Sequence, residues 1–131
     1  MNTVDRLNAN PLPLARHLGI EIVEAEPRRV VARLTVRDAL CTSGGILHGG
    51  AFMALADTAG AIGASLNLAE GANTTTIESK TNFLGAAALG TVVTAEAIPV
   101  HIGRRSSVWQ TRVTNPAGKL LALVNQTQLV I

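Results

Sequence analysis

Residues 46–69, ILHGGAFMALADTAGAIGASLNLA, hold one charged side chain, Asp57. Wound at 3.6 residues per turn, the run is apolar on nearly every face, so the rest of the chain must cover most of it. Its length would suffice for a bilayer, which needs about 20 apolar residues. Yet His48, Asp57, Ser65 and Asn67 interrupt it, and Gly and Ala supply most of its bulk. An aspartate near a bilayer centre costs about 2.5–3.5 kcal/mol even on the lenient insertion scale. The segment is therefore expected to be a buried helix from about Gly50 to Leu68 of a soluble protein, with no membrane partner.

The flanking sequence supplies the cover. In RVVARLTV (29–36), Val30, Ala32, Leu34 and Val36 alternate with Val31, Arg33 and Thr35, the period of a sheet with one buried face. GIEIVEAE (19–26) is expected to be its partner across a turn at Pro27, and PLARHLG a short helix ending at Gly19. After the long helix, strands are expected at 74–83, 90–101, 105–114 and 119–130, separated by GAAALG, IG and NPAG and running in meander-like succession. This order predicts an α+β fold in which a curved antiparallel sheet wraps one long helix and leaves one helix face for a partner. At 131 residues the chain is expected to be one domain, 1–131, with residues 1–17 as a lead-in.

Composition excludes several functions. The net charge of +2 comes without the Lys/Arg stripe and aromatic platforms that nucleic acid requires. Phe52, Phe83 and Trp109 are the only aromatics, so the core must be aliphatic. The single Cys41 rules out an intramolecular disulfide and a cysteine-rich zinc site. With no apolar signal core at the N-terminus, a cytoplasmic location is expected.

An ionised carboxylate buried without partners costs several kcal/mol, so buried ones are paired, protonated or functional. The positions three and four residues from Asp57 hold Met53, Ala54, Gly60 and Ala61, none of them basic. Either Asp57 meets a partner from the sheet or water, or it is a reagent. Just upstream, Gly44, Gly45, Gly49 and Gly50 permit unusual backbone angles and close ligand approach. They lead into a helix N-terminus, where free N–H groups and the dipole favour negative charge and could stabilise an oxyanion. His48 could satisfy the turn's backbone or touch a substrate. Asp57 lies eight residues beyond Gly49, about 10–12 Å along the axis. Reacting atoms must approach to about 3–3.5 Å. Asp57 therefore cannot easily act on a carbonyl held at its own helix's start. Two antiparallel helices across a homodimer would bring each N-terminus to the other's Asp57, which predicts two composite sites.

GGILHGGAFMALADTAG resembles the signature of hotdog-fold acyl-CoA thioesterases, in particular the phenylacetate-pathway (PaaI-like) branch. The sheet-forming second half, from TNFLGAAALGTVV to NQTQLV, agrees, so the resemblance covers roughly residues 18–131. It implies a hotdog fold with five to six strands and hydrolysis of an acyl-CoA thioester to a free acid and CoA. It also implies that the Gly49 amide polarises the thioester carbonyl, with His48 orienting the substrate. Asp57 of the neighbouring subunit would be base or nucleophile, with Thr76 a hydroxyl near it. Gly50, Gly103, Arg104, Arg105 and Ser106 fall where the family meets coenzyme A, and guanidinium forks suit its phosphates. No metal and no cofactor beyond coenzyme A as part of the substrate is implied, and the homodimer is expected to assemble into a homotetramer.

Two positions depart from the family. Thr42 stands where many relatives carry an asparagine that helps polarise the carbonyl, and Gly85-Ala86 replaces an Arg-Pro pair. A hotdog hydratase or dehydratase, which would release no thiol, and a non-catalytic acyl-CoA-binding protein are the alternatives.

Overall fold

The computed structural model describes residues 1–131. Helix α1 (Thr3–Ala9) and helix α2 (Pro13–Leu18) precede strands β1 (Glu21–Glu26) and β2 (Arg29–Thr35). A 3₁₀ turn at Asp38–Leu40 leads to a minute hairpin, β3 (Cys41–Thr42) and β4 (Ile46–Leu47). Helix α3 (Gly49–Ser65) follows, then β5 (Thr74–Phe83), β6 (Val92–Ile102), β7 (Ser106–Thr114) and β8 (Leu120–Val130). The six long strands form one antiparallel sheet in the order β1-β2-β6-β7-β8-β5. With α3 lying across its concave face, this is the hotdog arrangement. No helix is long and apolar enough to cross a membrane.

The core is built as the alternation requires. Val30, Ala32 and Leu34 of β2 face α3 together with Val93, Ala95 and Ala97 of β6, all fully or almost fully buried. Alanine at so many of these positions lets the helix approach closely. The largest inward group is Trp109, fully buried, with its indole N–H donating to Ser107 Oγ at 2.9 Å. It lies beneath Gly63, where a Cβ would come within 2.5 Å of the indole ring. Gly60 similarly faces Gln126. Glycine in a helix interior costs about 1 kcal/mol relative to alanine; here it admits two large sheet residues. The small residues of this helix serve packing.

Four features differ from expectation. The lead-in contains α1, which starts where the Asn2 side chain caps the Asp5 N–H at 2.8 Å. Its Asn8 then clamps the outer edge of β1, exchanging two hydrogen bonds with the Ile22 backbone. Helix α3 ends at Ser65 rather than Leu68. Asn67 Nδ2 donates to the Gly63 and Pro27 carbonyls and so ties off the last turn. The last four strands are not a simple meander. The helix carries the chain across the sheet, so β5 emerges at the far edge and pairs with β8 instead of β6. Of the four glycines around the start of α3, only Gly44 and Gly45, at φ 86° and 69°, adopt the left-handed region, at the tip of the β3–β4 hairpin. Gly49 and Gly50 are ordinary first residues of the helix.

Candidate active site

Two groups of side chains and backbone mark the ends of a possible site. At the start of α3, His48 is the N-cap, and its Nδ1 accepts the Gly50 N–H at 2.8 Å. This fixes the tautomer: Nδ1 is the acceptor, and Nε2 carries the proton on an exposed ring. The Gly49 N–H has no partner in the chain. It is one of the free donors at a helix N-terminus, where the dipole adds positive potential. A Cβ at Gly49 would sit 3.2 Å from the Phe83 ring, which packs edge-on against Phe52. Glycine thus keeps this donor close beneath an aromatic wall.

Two turns along the helix, Asp57 is half-buried and held from the sheet. Thr76 Oγ1 donates to its Oδ1 at 2.6 Å, and Gln126 Nε2 donates to the same oxygen at 3.0 Å. Behind them, Gln128 Nε2 donates to Thr76 Oγ1 at 2.6 Å, and Thr74 Oγ1 donates to Gln128 Oε1 at 3.0 Å. All the partners of Asp57 are neutral. The carboxylate is oriented but unpaired in charge, and Oδ2 accepts no hydrogen bond from the chain.

A β-bulge makes this possible. The β5–β8 register slips between Thr76 and Glu78, so Thr76 lies opposite Gln128 while Ser79 lies opposite Gln126. Without the extra residue at Ile77, Glu78 and Lys80 would follow Thr76 onto the inner face. With it, Thr74, Thr76, Ser79 and Thr81 turn inward and both charges turn out. Bulges beside sites commonly re-aim a side chain in this way.

The uninterrupted helix from Gly49 to Ser65 puts Asp57 about 12 Å from Gly49 along the axis. One chain therefore does not bring these two together. Gly50, Met53, Asp57, Ala61 and Ser65, spaced three or four apart, form a stripe that the sheet leaves half or fully exposed. Strand β5 is a sheet edge with Ile77 and Phe83 more than half exposed.

The other expected residues lie apart. Thr42 is exposed on β3, its hydroxyl without a partner in the chain. Gly103, Arg104, Arg105 and Ser106 form the β6–β7 turn, closed by the Gly103 N–H donating to Ser106 O at 2.8 Å. Gly103 and Arg104 line a cleft with Asn67 and Leu68 at the C-terminal end of α3. Both arginines are exposed, and no ion pair occupies them. A second cavity, about 280 Å³, opens between α1, α2 and α3, with Thr58 and Ala61 in its wall one residue and one turn beyond Asp57.

Gln126 and Gln128 were not anticipated. Their signal was present in LALVNQTQLV: on a period of two they share the inward face with Ala122 and Val124, where an amide must have a reason.

The thioesterase superfamily matches residues 44–122. A 1,4-dihydroxy-2-naphthoyl-CoA hydrolase from Listeria monocytogenes is 34% identical over 110 residues, spanning 84% of this chain and 89% of that protein. The crystal structure of a thioesterase from Haemophilus influenzae superposes with a TM-score of 0.92 at 33% identity, covering 100% of this chain and 92% of its own. The PaaI protein from the phenylacetic acid degradation operon of E. coli gives 0.88 at 25% identity, covering 98% and 91%.

Proposed function

This chain belongs to the thioesterase superfamily and is a thioester hydrolase, and from that premise we propose that it cleaves acyl-CoA at a site shared by two subunits. The observation that carries this reading is the separation of its two halves. A free N–H at the helix start and an oriented, charge-unpaired carboxylate lie too far apart on one helix and belong to complementary ends of two.

In this reading the thioester carbonyl oxygen accepts the Gly49 N–H of one subunit, which stabilises the negative charge that gathers there. In the same reading the exposed His48 Nε2–H orients the acyl-CoA, and the exposed Thr42 hydroxyl takes the place of the asparagine that many relatives carry. Asp57 of the other subunit attacks the carbonyl carbon or takes a proton from water that attacks it. A C–O bond forms, the C–S bond breaks, and the sulfur leaves as CoA thiolate to be protonated. If Asp57 attacks first, water then hydrolyses the acyl-enzyme anhydride. The paired Oδ1 and free Oδ2 of Asp57 suit either role.

Arg104 and Arg105, uncommitted and exposed, supply forks for the CoA phosphates, with Gly50, Gly103 and Ser106 alongside. The 280 Å³ cavity beside Asp57 receives the acyl group. No ionisable side chain lines it, and its Thr58 and Ser65 hydroxyls are turned back on the helix carbonyls of Ala54 and Ile62. An uncharged aryl or medium-length acyl group fits that lining. The exposed β5 edge and the α3 stripe are the surfaces for the dimer, and two dimers form a tetramer. The reaction uses no metal.

Asp57→Asn tests this. The substitution keeps size and an acceptor for Thr76 but removes the base and nucleophile. The variant is expected to remain a folded oligomer while thiol release from acyl-CoA falls by about three orders of magnitude in kcat. Undiminished turnover would refute the assignment.

A further inference from the structure

Strand β8 presents two glutamines to α3, each 1% exposed. The same face begins with Ala122 and Val124 and changes from aliphatic to amide as it passes Asp57. A buried amide brings two donors and a two-lone-pair acceptor that need partners. We infer that Gln126 and Gln128 are positioning residues for the hydrolytic reaction, Gln126 by holding Asp57 directly and Gln128 by aiming the Thr76 proton at it. This rests on the reading of Asp57 as the catalytic carboxylate.

The direction of each bond carries the argument. Thr76 has one hydroxyl proton and two neighbours that could compete for it, Asp57 and Gln128. Gln128 presents Nε2, at 2.6 Å, so it fills a lone pair of Thr76 Oγ1 and leaves the proton for Asp57. Were the amide reversed, its oxygen would draw that proton away. The Asp57 carboxylate, which can only accept, claims the Thr76 proton and so calls for a donor at Thr76 Oγ1, while the Thr74 hydroxyl, shared between Gln128 Oε1 at 3.0 Å and the Leu129 carbonyl at 3.1 Å, supports the same amide orientation. The row Thr74–Gln128–Thr76–Asp57 is thus polarised one way, towards Oδ1.

Gln126 adds a second donor to the same oxygen. Its own Oε1 is buried without a partner. Buried side chains kept for structure normally satisfy both ends of an amide, so this one is held for what Nε2 does at Asp57. Gly60 makes room for it: a Cβ there would lie 2.3 Å from Oε1 and 2.9 Å from Nε2. With Oδ1 taken twice, rotation of the carboxylate is blocked and Oδ2 is the oxygen presented to the substrate.

A double-mutant cycle on kcat separates positioning from mere packing. Gln128→Met, close in shape but without a donor, and Thr76→Val are each expected to lower kcat about tenfold with KM changed less than about twofold, the cost of a loosely held reacting group. Because Gln128 acts through Thr76, the double variant is expected to be no slower than Thr76→Val alone. Losses that multiply, or wild-type kcat in Gln128→Met, overturn the inference. If Gln128→Met does not fold, Thr74→Val removes a support of the same amide orientation. It is expected to slow kcat several-fold, and again to add nothing to Thr76→Val; wild-type kcat there refutes the relay. Asp57→Asn assayed in parallel separates the two levels. Full activity in that variant removes the parent reading, whereas a dead Asp57→Asn beside an unaffected Gln128→Met removes only the positioning role.

Discussion

His48 shows how one residue can serve the backbone and the chemistry at once. Its Nδ1 caps α3, so the imidazole could be regarded as a helix cap alone. Its exposed Nε2–H is what a cap does not require. Asparagine is among the best N-caps and has no group at the Nε2 position. His48→Asn is therefore expected to keep thermal stability close to wild type while kcat/KM for acyl-CoA falls about tenfold, whereas His48→Ala also loses about 1 kcal/mol of stability. Full activity in His48→Asn would reduce the histidine to its cap. At this scale the sequence exposed Asp57 readily, because a single charge in an apolar run has no camouflage. It did not expose the partners of Asp57. Gln126 and Gln128 sit some 70 residues downstream, and only strand register places them opposite the helix. Of the two freedoms that glycine offers at positions 49 and 50, unusual backbone angles and close approach, the helix start uses only the missing Cβ.

Elements were more legible than their pairing. The period-two runs gave every long strand to within about two residues, a usual margin for strand ends. Nothing in a local pattern says that β5 joins β8, since that follows from the helix crossing the sheet. The bulge at Ile77 is equally silent in sequence, though it decides which face Thr76 occupies. The fit of α3 to the sheet is where stability concentrates. Gly63 has its missing Cβ within 2.5 Å of two ring carbons of Trp109, a side chain that is fully buried and cannot swing away. Gly63→Ala is expected to destabilise the fold by about 1–3 kcal/mol in denaturant titrations despite the better helix propensity of alanine. A neutral or stabilising result would mean the helix is not seated on Trp109 as described.

At the scale of the whole molecule, the central claim is that the catalytic unit is two chains. The proposal rests on a length: eight residues of regular helix cannot fold back on themselves. The spacing was visible in the sequence, and α3, unbroken from Gly49 to Ser65, keeps the two groups about 12 Å apart along its axis. The most direct test combines two chains that are each defective at opposite ends. Gly49→Pro removes the N–H while keeping the helix start, since proline suits the first helical position and His48, at ψ 140°, already has the backbone that precedes one. The facing Phe83 ring is more than half exposed and can give way. Gly49→Pro and Asp57→Asn chains, co-expressed under two different tags and purified as the mixed dimer, contain one site with both groups intact and one with neither. Each parent is expected to be inactive, and the mixed dimer to recover about half of the wild-type kcat per dimer, as two-fold symmetry requires. A mixed dimer as inactive as its parents, or an active monomer, would contradict the shared site.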